Sequence, residues 1–320
     1  MRNRVQFLLE APSGEALFRL ADRCLRSLED PVSAYREVSR FVAALGAAAD
    51  AADPQEWALL RKGIALHPLM RELGRDPLIH HMRRAGRRTA APEMTIGDLM
   101  LRHPEGDRLV QATEPVGRNI HAATSSLALC DAVRDRRRLL ARYMDAASER
   151  RFGAEVLAID PGYMREAQSS IAGPAGAIGR WVALVGETKA AAEIARSMPL
   201  PWVVPIRGNV LATLLRPDLV GQFDVVYCKT LETMADAAAE ALVVAAFARL
   251  KPGGRLLLSC RAPGAPDSAF WTVVAGLEPY FRDEAMLSRL AGALDPREVA
   301  SRTAFSSVNE AIAYLEVVKA

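Results

Sequence analysis

In the first 150 residues, apolar side chains recur every three or four positions, which is the period of an amphipathic helix. Leu17, Cys24 and Leu28 share one such face. Pro31 and Pro54 each follow an aspartate, a pair typical of a helix start, with the aspartate as N-cap and the proline in the first turn. We therefore predict an all-helical N-terminal domain over residues 1–150.

Two parts of this half differ from a series of simple helices. Residues 86–105 contain Pro92, Gly97 and Pro104, and they are predicted to form an ordered loop or short helices. From about Val116 to Ser148 the pattern predicts one long helix, and its second half is strongly amphipathic.

After residue 152 the pattern changes to short apolar runs that alternate with helical segments, as a parallel α/β sheet requires. Five strands are predicted at 155–160, 181–186, 202–207, 223–228 and 254–260. Helices are predicted at 163–172, 188–197, 209–216, 233–250, 267–277 and 283–293. Two last strands at 301–306 and 311–318 can form an antiparallel hairpin. Residues 151–320 are thus predicted to form a second, Rossmann-like α/β domain with seven strands.

The turn before the fifth strand is the most specific local signal of this fold. Residues 250–255 read Leu-Lys-Pro-Gly-Gly-Arg and lead into an apolar strand. About 30 residues earlier stands Phe-Asp-Val-Val at 223–226. Glycine and proline suit the backbone of such a turn and carry no chemistry themselves. The segment therefore indicates a fold and not a reaction.

Length, composition and charge limit the classes of function that this chain can have. A length of 320 residues suits two domains, and 50% hydrophobic residues supply enough apolar material for buried cores. The formal net charge of +3 speaks against nucleic acid or an anionic membrane as partner, so the arginine runs are interpreted as solvated helix faces. The four cysteines are far apart and lack metal-ligand spacing, so we expect reduced thiols and no metal. Without a long apolar run, we expect a soluble, cytoplasmic protein.

In an open parallel sheet a ligand binds at the carboxyl ends of the strands. After the first strand, Asp160-Pro161-Gly162 forms a turn where backbone can pass close to a ligand, and the helix expected beyond it could hold a carboxylate at its N-terminus. An ordinary strand-turn-helix connection is the alternative interpretation.

The polar residues that follow the next three strands can each be interpreted in two ways. Glu187 follows the second strand and could bind ligand hydroxyls or simply begin a helix. Asn209 follows the third strand and could contact a ligand, act as a helix N-cap, or both. Lys229 follows the fourth strand, either as an anion contact or as a solvated surface charge.

Several motifs occur in the order of one known family. They are His67–Leu78, Pro92–Asp98, Val133–Leu139, Val156–Gln168 and Leu277–Leu287. With these segments the chain resembles a bacterial two-domain family of class I S-adenosylmethionine-dependent methyltransferases, which includes the methyltransferase of 3-hydroxypalmitate methyl ester biosynthesis. The resemblance spans roughly residues 64–318.

The resemblance implies methyl transfer from S-adenosylmethionine to an oxygen or nitrogen of a small molecule, such as an acyl carboxylate or a secondary metabolite. It implies a set of cofactor-binding residues: Asp160, Gly162, Tyr163, Glu166, Glu187, Asn209, Cys228 and Leu231. The candidates for substrate contact are Asp98, Arg118, His121, Lys229, Tyr280 and Arg282. No catalytic residue is assigned. The chain could form a homodimer, although packing within a monomer explains its apolar faces as well.

This chain departs from the family pattern on the walls of the expected site. Thr95 stands where the family has tyrosine, the acids of the second strand are reduced to Glu187, and the segment 229–234 reads Lys-Thr-Leu-Glu-Thr-Met. The alternative function is therefore a non-catalytic protein with a methyltransferase fold that serves as a binding partner or scaffold in a biosynthetic complex. Nucleic-acid modification through the arginine-rich helix is a third hypothesis, and the low net charge disfavours it.

Overall fold

A computed structural model describes residues 14–86 and 94–320 of the chain. The first nine helices of these residues are α1 (Gly14–Ser27), α2 (Pro31–Ala51), α3 (Pro54–Ala65), α4 (Leu69–Leu73), α5 (Pro77–Gly86), α6 (Met94–Leu101), α7 (Pro104–Gln111), α8 (Pro115–Thr124) and α9 (Ala128–Arg150). Pro92 and part of the predicted irregular segment lie outside the described residues.

The second half alternates strands and helices. Its strands are β1 (Ala154–Ile159), β2 (Ile178–Val185), β3 (Val203–Arg207), β4 (Phe223–Cys228), β5 (Leu250–Arg261), β6 (Val299–Ser306) and β7 (Ile312–Lys319). Its helices are α10 (Thr188–Ser197), α11 (Val210–Leu214), α12 (Pro217–Val220), α13 (Asp236–Ala248), α14 (Ser268–Ala275) and α15 (Glu284–Leu290).

Contacts between residues divide the described chain into two compact units. Each unit is made of segments that are not continuous in the sequence. The helical unit holds residues 14–86, 102–130 and 266–278, and the sheet unit holds 94–101, 131–265 and 279–320. The predicted domain boundary at residue 150 stays a prediction. The two units defined by contacts separate between residues 130 and 131, which lie within α9. No sequence signal indicated that α14 packs with α2 and α5 of the helical unit.

In the helical unit, the two predicted caps are present. Asp30 accepts a hydrogen bond from the Ser33 amide at 2.8 Å, and Asp53 accepts one from the Gln55 amide at 2.8 Å. Leu17, which the helical pattern placed on an apolar face, is completely buried. Both observations follow from the sequence, because capping and amphipathic packing depend on neighbouring residues.

The single long helix predicted over 116–148 is wrong, because the chain forms α8 and α9 with a break between them. In the break, the Ser126 and Leu127 amides bond to carbonyls only three residues back. The Leu129 amide is then capped by the Asp267 carboxylate at 2.9 Å, so a new helix begins there. Because the capping residue lies 138 positions away in the chain, the pattern of neighbouring residues cannot predict it.

The sheet unit contains one seven-stranded sheet with the order β3-β2-β1-β4-β5-β7-β6. β1 to β5 are parallel, and β7 runs antiparallel to both β5 and β6. This confirms the predicted Rossmann-like class I methyltransferase sheet with an antiparallel C-terminal hairpin. The strands are read correctly from apolar runs because the central ones are buried on both faces.

The glycine-rich segment before the apolar part of β5 is a bulge and not the predicted turn. β5 already begins at Leu250, and its pairing with β4 shifts register around Gly253 and Gly254. Gly253 has a φ of 74°, and a Cβ on Gly254 would lie 2.8 Å from the Lys251 carbonyl oxygen. Both positions therefore need glycine for backbone reasons.

The helix predicted over 163–172 is also wrong, because this segment forms only a 3-10 turn at Ala167–Ser169. Met164 has a φ of 54°, which a helix cannot contain. Further on, the amides of Ile171 and Ala172 donate to the Asp145 carboxylate of α9 at 3.0 and 2.9 Å. A tertiary acceptor thus takes the bonds that a helix would form internally. The expected helix N-terminus for a ligand carboxylate is consequently not present after β1.

The remaining segments agree with prediction to within a few residues. Residues predicted as one helix over 209–216 form α11 and continue into the separate α12, and α15 is followed by a short 3-10 turn. Within residues 14–86 and 94–320, no helix is both long enough and apolar enough to cross a membrane.

Candidate functional site

The candidate site lies at the carboxyl edge of the parallel strands in the sheet unit. β1 lies between β2 and β4, so the chain progresses outward in opposite directions from this point. In open α/β sheets such a reversal leaves a crevice beyond the strand ends, where ligands bind. The residues that follow β1, β2, β3 and β4 therefore lie at this edge.

The turn after β1 has an unusual backbone. Every second residue is left-handed, with φ values of 43° at Asp160, 62° at Gly162 and 54° at Met164. Non-glycine residues rarely adopt this conformation, and strained backbone of this kind is concentrated at ligand and active sites. A Cβ placed on Gly162 would meet nothing within 4 Å, so the turn borders open space.

Asp160 is held against the end of β2. Its amide donates to the Leu184 carbonyl at 3.0 Å, and its carboxylate accepts a hydrogen bond from the Gly186 amide. Burial raises the pKa of Asp160; the Gly186 bond opposes that shift, whereas nearby Glu187 adds to it. The site therefore presents two acidic groups at the junction of β1 and β2. Such an arrangement is stabilised by a positively charged ligand.

A buried polar cluster joins the same turn to β4. Both oxygens of Glu166 accept hydrogen bonds from the Lys229 ammonium, at 2.8 and 2.9 Å, and one of them also accepts from the Tyr227 hydroxyl at 2.6 Å. Tyr227 of β4 and Lys229, which directly follows β4, both contact Glu166 because alternate residues of extended backbone share a face. We refer to Glu166, Tyr227 and Lys229 as the Glu166 cluster.

The charges of the Glu166 cluster are fixed by these contacts. Burial raises the pKa of Glu166, but the Lys229 ammonium and the Tyr227 hydroxyl outweigh it and hold the pKa below its ordinary value. Burial and the Glu166 carboxylate raise the pKa of Tyr227 well above its ordinary value. Glu166 is thus an ionised acceptor whose two oxygens are engaged by the chain itself. Lys229 is not the solvated surface charge of the alternative interpretation, since its side chain is only 17% exposed.

Glu187 and Asn209 follow the two outer parallel strands. Glu187 is exposed at the start of α10, and its side chain forms no capping hydrogen bond. Asn209 is exposed and caps α11, since its side-chain oxygen accepts from the Ala212 amide at 2.9 Å. The predicted cap role of Asn209 is confirmed, and its ligand role stays a prediction.

Asn209 allows a direct test of this cap. Asn209→Ala is expected to lower the free energy of unfolding by about 1 kcal/mol, because the first turn of α11 loses its acceptor. Asn209→Asp keeps an oxygen at the same place and is expected to retain most of the stability. Urea denaturation of the three proteins measures both effects. Equal losses in the two variants would contradict the role of the side-chain oxygen.

Cys228 and Leu231 are enclosed in the core behind β4. Burial raises the pKa of the Cys228 thiol to about 11, so it is protonated at neutral pH and is a poor nucleophile. Leu231 has no exposed surface, and its carbonyl accepts a hydrogen bond from Arg282 at 2.7 Å. Their role in cofactor binding stays a prediction.

Asp98 and Arg165 form a buried ion pair within the sheet unit. Two parallel hydrogen bonds of 2.8 Å join the carboxylate of α6 to the guanidinium that follows the β1 turn. The same guanidinium lies 4.8 Å from the ring centre of Tyr163, whose pKa is raised by burial. The pair therefore fastens α6 and Tyr163 to the turn, a structural role for Arg165 that the sequence did not reveal.

The side chain of Arg282 is buried, while that of Tyr280, two positions earlier in the chain, is half exposed. The Arg282 guanidinium donates to the carbonyls of Leu231 and Met234 and to the Asp236 carboxylate, at 2.6 to 3.1 Å. The loop after β4 and the start of α13 are thereby tied together. The proposed substrate contact of Tyr280 and Arg282 stays a prediction.

Arg118 and His121 belong to the helical unit and have local partners there. Arg118 donates to the Thr113 carbonyl at 2.5 Å. The buried His121 contacts the Asp76 carboxylate through Nδ1 at 2.9 Å, and Thr124 donates to the same carboxylate at 2.5 Å. Asp76 also caps α5 through the Leu78 amide. His121 is thus part of a buried polar network, and its substrate role stays a prediction.

Arg136, which contacts the ends of β4 and β5, escaped sequence reasoning. Arg136 of α9 donates to the Lys229 carbonyl at 3.0 Å and to the Ser259 hydroxyl at 3.3 Å. Arg136 was hidden within an arginine run, and only the packing of α9 on the sheet distinguishes it from its neighbours. Among the described residues, no group of three or more histidine, cysteine, aspartate or glutamate side chains could hold a metal ion.

The chain matches no protein-family model and no curated protein sequence. Its structure is similar to that of a possible exported protein from Bordetella parapertussis, with a TM-score of 0.52, 16% identity, and coverage of 79% of this chain and 99% of the other. This likeness concerns the fold alone.

Two methyltransferase structures give lower scores. One is magnesium protoporphyrin IX methyltransferase from Synechocystis PCC 6803 with bound S-adenosylhomocysteine, with a TM-score of 0.43, 16% identity, and coverage of 60% of this chain and 87% of the other. The other is the N-methyltransferase NodS from Bradyrhizobium japonicum WM9 in complex with S-adenosylhomocysteine, with a TM-score of 0.42, 14% identity, and coverage of 61% and 89%.

Proposed function

We propose that the chain is an S-adenosylmethionine-dependent methyltransferase that acts on an oxygen or nitrogen of a small molecule. The observation that carries this proposal is the turn after β1. Left-handed backbone at Asp160, Gly162 and Met164 borders open space at the point where the strand order reverses. Such a turn lets a ligand approach the backbone closely.

The polar groups around the turn suit this cofactor. Asp160 and Glu187 place negative charge where a cationic sulfonium and amino group would be stabilised. A Cβ on Gly186 would meet nothing within 4 Å, so the space beside Asp160 is open on the β2 side as well. We propose that Asp160 and Gly162 bind the methionine part, Glu187 the ribose and Asn209 the adenine.

The chemistry needs little from the protein beyond placement. When bound, S-adenosylmethionine supplies an electrophilic methyl group on a positively charged sulfur. The chain's own residues orient the acceptor and exclude water, which are the main sources of rate for such a transfer. Glu166 is not assigned as a base, because Lys229 and Tyr227 engage both of its oxygens. An acceptor that is already nucleophilic needs no base.

Turnover tests the proposal. The purified protein is incubated with S-adenosylmethionine labelled in the methyl group and a pool of small-molecule acids, alcohols and amines. Transfer of label to a pool member that needs intact Gly162 is the expected result. Binding of the cofactor without transfer to any acceptor would instead favour the non-catalytic binding protein.

A further inference from the structure

Arg136 places a guanidinium at the carboxyl ends of β4 and β5. It is half-buried on α9, and one of its terminal nitrogens, Nη1, donates to the Lys229 carbonyl at 3.0 Å and to the Ser259 hydroxyl at 3.3 Å. These two neutral oxygens fix the position of the group and leave its charge uncompensated. A guanidinium has five N–H donors, so most of them are not used by these contacts.

Two nearby arginines of α9 have carboxylate partners. Arg134 pairs with Asp131 and Arg138 pairs with Asp135, each across one helical turn. Within residues 14–86 and 94–320, no carboxylate lies within ion-pair distance of Arg136, and its hydrogen bonds to these residues all come from Nη1. A half-buried guanidinium in this state can offer its remaining donors to an anion.

The charged groups near Arg136 leave its positive charge unbalanced. Burial lowers the pKa of Lys229, and Arg136 adds to that shift while Glu166 opposes it. Since Glu166 neutralises Lys229, the three groups together carry one positive charge. The Asp135 carboxylate acts on the neighbouring Tyr314, and Arg138 engages it.

A hydroxyl donor lies next to this charge. Tyr314 of β7 stands opposite Ser259 in the sheet register, and its side chain is buried. Burial raises the pKa of Tyr314 to about 12, although Arg136 opposes the shift. Tyr314 is therefore a neutral hydroxyl that can donate to an anion at neutral pH.

We propose that Arg136 binds an anionic group of the acceptor, a carboxylate or a phosphate, with Tyr314 as a second donor. This inference rests on the proposed methyltransferase function and names its substrate class: a small acid whose charged end is held beside β4 and β5. A charge-assisted bond from a planar guanidinium suits both anions. The anion serves to anchor the acceptor, and the methylated atom can be another part of it.

The test compares three small aromatic probes of similar size: benzoate, phenyl phosphate and the neutral benzamide. Saturation-transfer NMR and calorimetry measure their binding to the full chain with saturating S-adenosylhomocysteine. We expect benzoate or phenyl phosphate to bind at least about tenfold more tightly than benzamide, as expected for a charged hydrogen bond. Whichever anion binds more tightly identifies the anion class of the acceptor.

Two matched variants test whether the preference for the anionic probes depends on Arg136. Arg136→Gln is expected to remove the preference for the anions, whereas Arg138→Gln, on the same helix but exposed and paired with Asp135, is expected to keep it. Thermal melting establishes that both variants are folded. Equal losses in both variants, or no preference for either anion in the wild type, would overturn the inference.

S-adenosylhomocysteine binding is measured in the same samples, so the two proposals can fail separately. If the cofactor product binds but neither anion is preferred, the inference about Arg136 is wrong and the methyltransferase proposal stands. If the anions bind through Arg136 but the cofactor product does not bind, the anion site stands and the proposed function is wrong.

Discussion

Glu166→Gln is expected to lower the free energy of unfolding by about 3–5 kcal/mol at neutral pH, because it leaves the Lys229 ammonium buried without its counter-charge. The side chain of Glu166 is 2% exposed, so solvent screens this contact little. The Lys229→Met variant is expected to cost a similar amount, since it leaves the Glu166 carboxylate with only the Tyr227 hydroxyl. Urea denaturation of both variants measures these losses.

The double variant Glu166→Gln with Lys229→Met is the control for this prediction. It removes both charges, so no unpaired ion remains in the interior and the loss is expected to be smaller than the sum of the two single losses. Strict additivity of the two losses would contradict a direct ion pair between these side chains.

The same pair predicts how stability depends on pH. The pKa of Glu166 is held below its ordinary value of 4.5 in the folded protein. The pair therefore contributes its full stability above that ordinary value and loses it as the pH falls through the lower, folded-state pKa. Glu166→Gln should remove this part of the acid sensitivity. An unchanged difference between wild type and variant across the acidic range would be inconsistent with an ionised Glu166.

The second large effect is expected at Gly162. Gly162→Val should weaken the binding of S-adenosylhomocysteine by about tenfold to hundredfold, corresponding to about 1–3 kcal/mol of steric overlap. The new side chain would occupy the open space that borders the turn. Calorimetric titration of wild type and variant measures the change.

Gly176→Val is the matched control for Gly162→Val. Gly176 has a φ of 70°, close to the 62° of Gly162, and a Cβ there would also meet nothing within 4 Å. It precedes β2, at the opposite end of the strands from the candidate site. Both variants should therefore lose similar stability, while only Gly162→Val loses binding. Equal binding by the two variants would show that the turn after β1 does not contact the cofactor.

The fold could be predicted because its signals are local. Apolar runs mark the strands, and the late strand pair distinguishes this sheet from one that continues in parallel. The two wrong helices failed for a common reason, since in each case a carboxylate from elsewhere in the chain captures backbone amides. Asp267 starts α9 anew, and Asp145 holds the segment after the β1 turn open. Neither partner is visible in a window of neighbouring residues.

The candidate site was predictable in location but not in its contacts. Strand ends and the β1 turn could be found because parallel topology brings them to one edge. The Glu166 cluster could not, because its hydrogen bonds join residues 61 and 63 positions apart. Lys229 illustrates the limit: its type and position suggested a ligand contact or a surface charge, and neither suggestion revealed its buried carboxylate partner. Arg136 differs from its neighbours in the arginine run only through what surrounds it.

The most direct test of the central claim is a calorimetric titration of the folded wild-type protein with S-adenosylhomocysteine and S-adenosylmethionine. We expect both to bind in the micromolar range, with one site per chain, through the turn at Asp160–Met164 and the acid at Glu187. Absence of binding in a protein that melts cooperatively would contradict the proposed methyltransferase function.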